Sequence, residues 1–185
     1  MQLAHDISKK AWIYDHSEPK ARYSLGKKGA RPFVCFGINP STATPGRLDP
    51  TVASVASYAK DHEYDGWLML NLYPQRATDP DKLHRKFQPI LHRENLHWIK
   101  HYLHEFSQDS HVHVWCAWGT LIEKRPYLLQ CLIDIHDNIN SFNLSYFTRG
   151  SRSKNGHPHH PLYLRKDAPL EQFDLNNYLK NIHNL

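Results

Sequence analysis

No apolar run in the chain approaches the ~20 residues that a membrane-spanning helix needs, so no membrane partner is expected. The first twenty residues, MQLAHDISKKAWIYDHSEPK, have no apolar core of the kind a secretion signal requires. Cysteine is scarce: Cys35, Cys116 and Cys131 are the three in 185 residues. The number is odd, no two form a Cys-x-x-Cys pair, and each lies among apolar neighbours. This argues against a disulfide framework or an iron–sulfur site and for buried, reduced thiols in a cytoplasmic protein. No His-Glu-x-x-His motif, internal repeat or low-complexity tract is present.

What is present suits one domain spanning residues 1–185. Hydrophobic residues make up 40% and aromatics 12%, enough for a sizeable core. The formal charge of +5 and pI of about 9.1 favour a polyanionic partner. Fifteen histidines are unusual, but most, such as His84, His92, His97, His101 and His104, read as exposed helix positions.

Four apolar, β-branched or aromatic runs predict strands over 31–38, 66–73, 111–119 and 143–150. Helical patterns lie over 49–63, 93–108, about 120–137 and 170–184. Asp49 is the expected N-cap of the first helix, with Pro50 at its first position. Residues 22–26 read as a further extended piece, joined to the strand at 31 by a KKGA turn. Strands alternating with helices predict an α/β fold: a parallel sheet covered on both faces. In such sheets ligands bind outside the C-terminal strand ends. That rule directs attention to Asn39-Pro40-Ser41, Asn71 and Tyr73, Trp118-Gly119, and the loop after Arg149.

Asn39 before Pro40 is a common turn dipeptide, so a cap role is one reading. The other is chemical: Gly37 lets backbone or ligand come close, and a fixed amide can hold a water. Asn71 interrupts an apolar strand. A buried amide needs a partner, which is either a neighbouring loop or a ligand such as a nucleobase edge. His157-Pro158 and His160-Pro161 stiffen a loop and hold two imidazoles that can donate to a developing anion. A surface loop, or zinc ligation by His157, His159 and His160, are the alternatives.

Five short motifs in order carry a resemblance: NPSTA (39–43), DPT (49–51), NL (71–72), WG (118–119) and GHPHHPL (156–162). With these the sequence resembles the uracil-DNA glycosylase superfamily, through a domain-of-unknown-function branch of it. The resemblance covers roughly residues 22 to 165. It implies a uracil-DNA glycosylase-like fold, a three-layer α/β/α sandwich with a central, mostly parallel four-stranded sheet.

By the same resemblance, Asn39 positions the hydrolytic water, Asn71 reads a flipped base, and His160 stabilises the departing base anion. His157 is the alternative histidine. Ser41 stands where uracil-specific members have a blocking tyrosine, which implies a roomier pocket for a 5-substituted pyrimidine. The implied reaction is excision of a modified or mismatched pyrimidine, including bulky 5-modified cytosines of phage DNA in a defence role. No carboxylate stands at the first motif, so rate is expected to come from electrostatics and positioning. No lysine stands at the three positions to form a Schiff base, so the product is an abasic site in an uncut strand.

Tyr73 or Trp118 is a candidate to stack on the base, with core as the alternative for each. Arg149, Arg152 and Lys154 are placed to meet phosphates, and Leu162 or Tyr163 to fill the gap left by the flipped base. The expected partner is DNA, the expected state a monomer, and neither cofactor nor metal is expected. A non-catalytic module that recognises a nucleotide or modified base is the alternative function.

Overall fold

The computed structural model describes residues 11–17, 19–165 and 167–182. Among these, seven strands form one sheet in the order β1-β2-β4-β3-β5-β6-β7. They are β1 Trp12–Ser17, β2 Ala21–Lys27, β3 Pro32–Gly37, β4 Gly66–Asn71, β5 Val112–Cys116, β6 Leu144–Arg149 and β7 Leu170–Gln172. The neighbours β4-β3, β3-β5 and β5-β6 pair parallel. The pairs β1-β2, β2-β4 and β6-β7 are antiparallel.

The expected four-stranded, mostly parallel sheet is therefore corrected to a seven-stranded mixed one. The extra strands escaped the sequence for physical reasons. β1 is a sheet-edge strand whose WIYDHS run mixes apolar and charged residues. β7 is three residues long and falls where a helical pattern was expected to begin. β2 was anticipated as extended, but it does not hairpin onto the strand at 31. It pairs with β1 on one side and with β4 on the other, through Leu25↔Met69.

Four helices follow the expected pattern with shifted ends: α1 Pro50–Asp61, α2 Pro89–Asp109, α3 Pro126–Ile139 and α4 Leu175–Ile182. Three begin on proline, whose missing N–H costs nothing in a first turn. The single helix expected from 120 is divided. A 3-10 helix, Gly119–Lys124, ends at an extended Arg125, because the residue before Pro126 is driven out of the helical region. Residues 183 and 184 of the expected last helix lie outside the described residues.

Strand alternation sorts the core onto two faces. Phe33, Cys35, Trp67, Met69 and Trp115 pack with Val52, Val55 and Tyr58 of α1. Val34, Phe36, Leu68, Leu70 and Val114 pack with Ile99, Leu128 and Tyr178 of α2, α3 and α4. All three cysteines are buried and free. By parity, Gly37 and Asn71 end their strands on the α1 face, as partners in register. Among the described residues no helix is long and apolar enough to cross a membrane.

Candidate functional site

A cavity of about 380 Å³ opens where β3 and β4 end beneath the start of α1. That volume is within the ~300–1,000 Å³ usual for small-molecule sites. Its walls include Arg22, Gly37, Asn39, Ser41, Asp49, Asn71, His160, Leu162 and Tyr163. The sheet edge thus gathers Gly37, Asn39, Ser41, Asn71, His160, Leu162 and Tyr163 from widely separated parts of the chain.

Asn71 is fully buried, and neither Nδ2 nor Oδ1 has a hydrogen-bond partner. Leaving such atoms unpaired costs ~1–3 kcal/mol each, which a ligand with a matching donor and acceptor would recover. Its backbone is braced from the other side of the sheet, where Asn95 Nδ2 donates to Asn71 O (2.9 Å) and Leu72 O (3.3 Å). Gly37 makes room for the amide: a Cβ there would stand 3.0 Å from Asn71 Oδ1 and 2.7 Å from Met69 Cε.

Asn39 is a clamp as well as a wall. Its Nδ2 donates to Ala77 O (2.7 Å), Pro40 O (3.0 Å) and Gln75 O (3.4 Å), tying the strand-end loop after β3 to that after β4. Oδ1 makes no hydrogen bond among the described residues, and the residue lines the cavity. Ser41 Oγ bonds Thr78 Oγ1 at 2.9 Å, so this wall stays small and polar.

The two histidines separate cleanly. His160 lines the cavity, and its Nδ1 accepts from Leu162 N at 3.4 Å, which leaves the proton on Nε2. Burial lowers its pKa below the usual imidazole value, with Asp49 pulling the other way, so the ring is neutral near pH 7. His160 rests on Gly119, which has φ of 64° and would bring a Cβ to 3.4 Å from His160 Cβ. Here the Trp-Gly pair has a packing reason. His157 points elsewhere: it is completely buried, with Nδ1 on Tyr178 Oη and Nε2 on Glu123 Oε1, both at 2.7 Å. It fastens the loop rather than facing the cavity.

Asp49 is the site residue that sequence reasoning placed only as a cap. Oδ1 does cap α1, accepting from Val52 N at 2.9 Å. The side chain also lines the cavity, and no hydrogen bond among the described residues engages Oδ2. A carboxylate therefore stands in the site although none stands in the first motif. Arg22, from β2, was likewise not anticipated as a site residue. The signal for both was available in retrospect: an Asp-Pro-Thr helix start opposite the strand ends, and an arginine inside a run of buried strand residues.

Two further expected roles are corrected, those of Tyr73 and Arg149. Tyr73 is wholly buried against Tyr127 and Phe87 on the α2–α3 face, with Oη on His84 Nδ1 at 3.0 Å, so it does not line the cavity. For Trp118 the core reading holds: it is buried and donates Nε1–H to Tyr178 Oη at 3.1 Å. Arg149 is 3% exposed, lies over the rings of Tyr58 and Trp115, and donates to Ala168 O, so it is not a surface phosphate contact. Arg152 and Lys154 are exposed, as are Leu162 and Tyr163 at the cavity rim. Among the described residues no three His, Cys, Asp or Glu side chains converge as a metal site would require.

Fold and site together define an α/β protein with a cavity at the carboxyl edge of its sheet. Residues 22–162 match the family described as Protein of unknown function (DUF1643), and the chain belongs to that family. No curated protein and no solved structure matches. The resemblance to the uracil-DNA glycosylase superfamily is corrected by this outcome: no family of that superfamily matches, and short strand-end motifs alone do not establish the kinship.

Proposed function

We propose that this protein is a monofunctional DNA glycosylase, acting as a cytoplasmic monomer, that takes a flipped, modified or mismatched pyrimidine into the cavity and hydrolyses its N-glycosidic bond. The observation that carries the reading is Asn71, a buried amide with both polar atoms unpartnered on a cavity wall. A side-by-side donor and acceptor is the complement of a nucleobase edge.

The remaining groups divide the chemistry. Water held by Asn39 Oδ1 attacks C1′, and Asp49 Oδ2 takes its proton. The base leaves as an anion, and the neutral His160 ring donates Nε2–H to it. Base and sugar part through an oxocarbenium-like transition state, so positioning and electrostatics supply the rate. No lysine is among the residues lining the cavity, so no Schiff base forms and the product is an abasic site. Leu162 and Tyr163, 51% and 82% exposed at the rim, fill the space the base vacates. Arg152 and Lys154 meet the phosphates. The small, polar wall at Ser41 admits a 5-substituent, including those of modified phage cytosines.

Asn39 also supports a second reading, a modified-base binding module, because its Nδ2 is fully engaged in holding the two loops. The test is abasic-site formation on duplexes carrying uracil, thymine mismatches or 5-modified cytosines, comparing wild type with Asn39→Ala and His160→Ala. The glycosylase reading expects cleavage of at least one substrate and a loss of 10²-fold or more in each variant. Tight binding without base release favours the module instead.

A further inference from the structure

Arg22 stands near the start of β2, is 1% exposed and lines the cavity. Its Nη1 donates to Ala43 O at 3.1 Å, while Nε is buried without a partner. Arg76 Nη1 reaches the same carbonyl at 3.3 Å, so two guanidinium groups meet on one acceptor. Among the described residues no carboxylate lies within ion-pair distance of Arg22. Asp49 attracts it from farther off, and the repulsion from Arg76 is the larger of the two effects. A buried cation in that position is stabilised by a counter-charge that also accepts from Nε.

We propose that this part of the cavity is an anion subsite: the ligand whose base edge meets Asn71 also carries a carboxylate or phosphate that seats against the Arg22 guanidinium. The inference rests on the nucleobase reading of the same cavity. Arginine's planar fork suits either anion. A carboxylate would be borne by the base itself, and a phosphate would belong to the nucleotide. Asp49 and His160 remain for the chemistry, because Arg22 binds and does not react.

Titration calorimetry on the wild-type protein tests this with matched ligands. Uracil-5-carboxylate is compared with uracil-5-carboxamide, and deoxyuridine 5′-monophosphate with deoxyuridine. At least one anion is expected to bind 10-fold or more tightly than its neutral partner, and the pair that shows the preference identifies the source of the charge. In Arg22→Gln the preference should fall towards unity. That variant also loses the Nη1 bond to Ala43, so its melting curve is recorded; if it unfolds, the wild-type pairs decide alone. Equal affinities within both pairs, no binding of either anion at millimolar concentration, or a preference that survives in folded Arg22→Gln each overturn the subsite. Base release from DNA without any anion preference sinks the subsite and leaves the glycosylase. Anion preference without base release does the reverse.

Discussion

Asn71 and Gly37 are partners in register across β4 and β3, and a Cβ at Gly37 would crowd the Asn71 amide. Gly37→Ala places a methyl 3.0 Å from Asn71 Oδ1 and 2.7 Å from Met69 Cε. The methionine end can swing away, while the amide must shift by a few tenths of an ångström from its place on the cavity wall. Base release and ligand affinity should fall 10-fold or more, while the melting temperature moves by only a few degrees. Unchanged activity would show that the amide's orientation is not used.

Protonation at Nδ1 would break the bond from Leu162 N that holds the His160 ring, so on the proposed mechanism this ring should set the acid limb of activity. Burial lowers its pKa from the ordinary 6.5, so the folded protein keeps it neutral to lower pH than the unfolded chain does. The unfolded state then binds the proton first. Stability from this group is present above about 6.5 and is lost as pH falls through the folded value. The acid limb of the pH–rate profile should lie below 6.5. A limb at or above that value contradicts the assignment.

Asp49→Asn separates the cap from the chemistry. Asparagine caps a helix as well as aspartate does, so α1 should hold and melting should change little. Losing the base that takes the water's proton should slow release by ~10²–10⁴-fold. The carboxylate that raises the His160 pKa is lost too, so the residual acid limb should move to lower pH. Full activity in Asp49→Asn would remove this residue from the mechanism.

His157 has a different fate under substitution. His157→Ala breaks the links to Glu123 and Tyr178 and should cost ~2–4 kcal/mol of stability, read by denaturant unfolding. At a temperature where it stays folded, the variant should still release base, because His157 does not line the cavity. Glu123, held below its ordinary pKa by the bond from His157, adds stability above pH 4.5 that fades as pH falls through its folded value. His157→Ala should weaken that acid dependence.

Much of this site was legible in the sequence because strand ends announce themselves. An amide closing an apolar strand, a glycine two residues before an asparagine, and a stiff His-Pro loop all marked the cavity edge. The parts that were hidden depend on tertiary direction. Tyr73 lies two residues past Asn71, where strand alternation would return it to the α1 face, but the chain bends after β4 and carries it into the α2–α3 core. Arg149 ends β6 beside a basic loop, yet it folds back over Tyr58 and Trp115. Asp49 looked complete as a cap, and one oxygen of it is. The edge strands β1 and β7 were missed because a short or mixed-polarity strand owes its place to the neighbour it pairs with, not to its own apolar pattern.

The most direct test of the central claim is mass spectrometry of the bases set free from DNAs of different modification content, with wild type and Asn71→Ala side by side. The account predicts that wild type liberates a pyrimidine from at least one DNA and leaves abasic sites in intact strands. It predicts that Asn71→Ala, still folded, liberates at least 10-fold less. No base released by wild type from any DNA, or equal release by the two proteins, would contradict it.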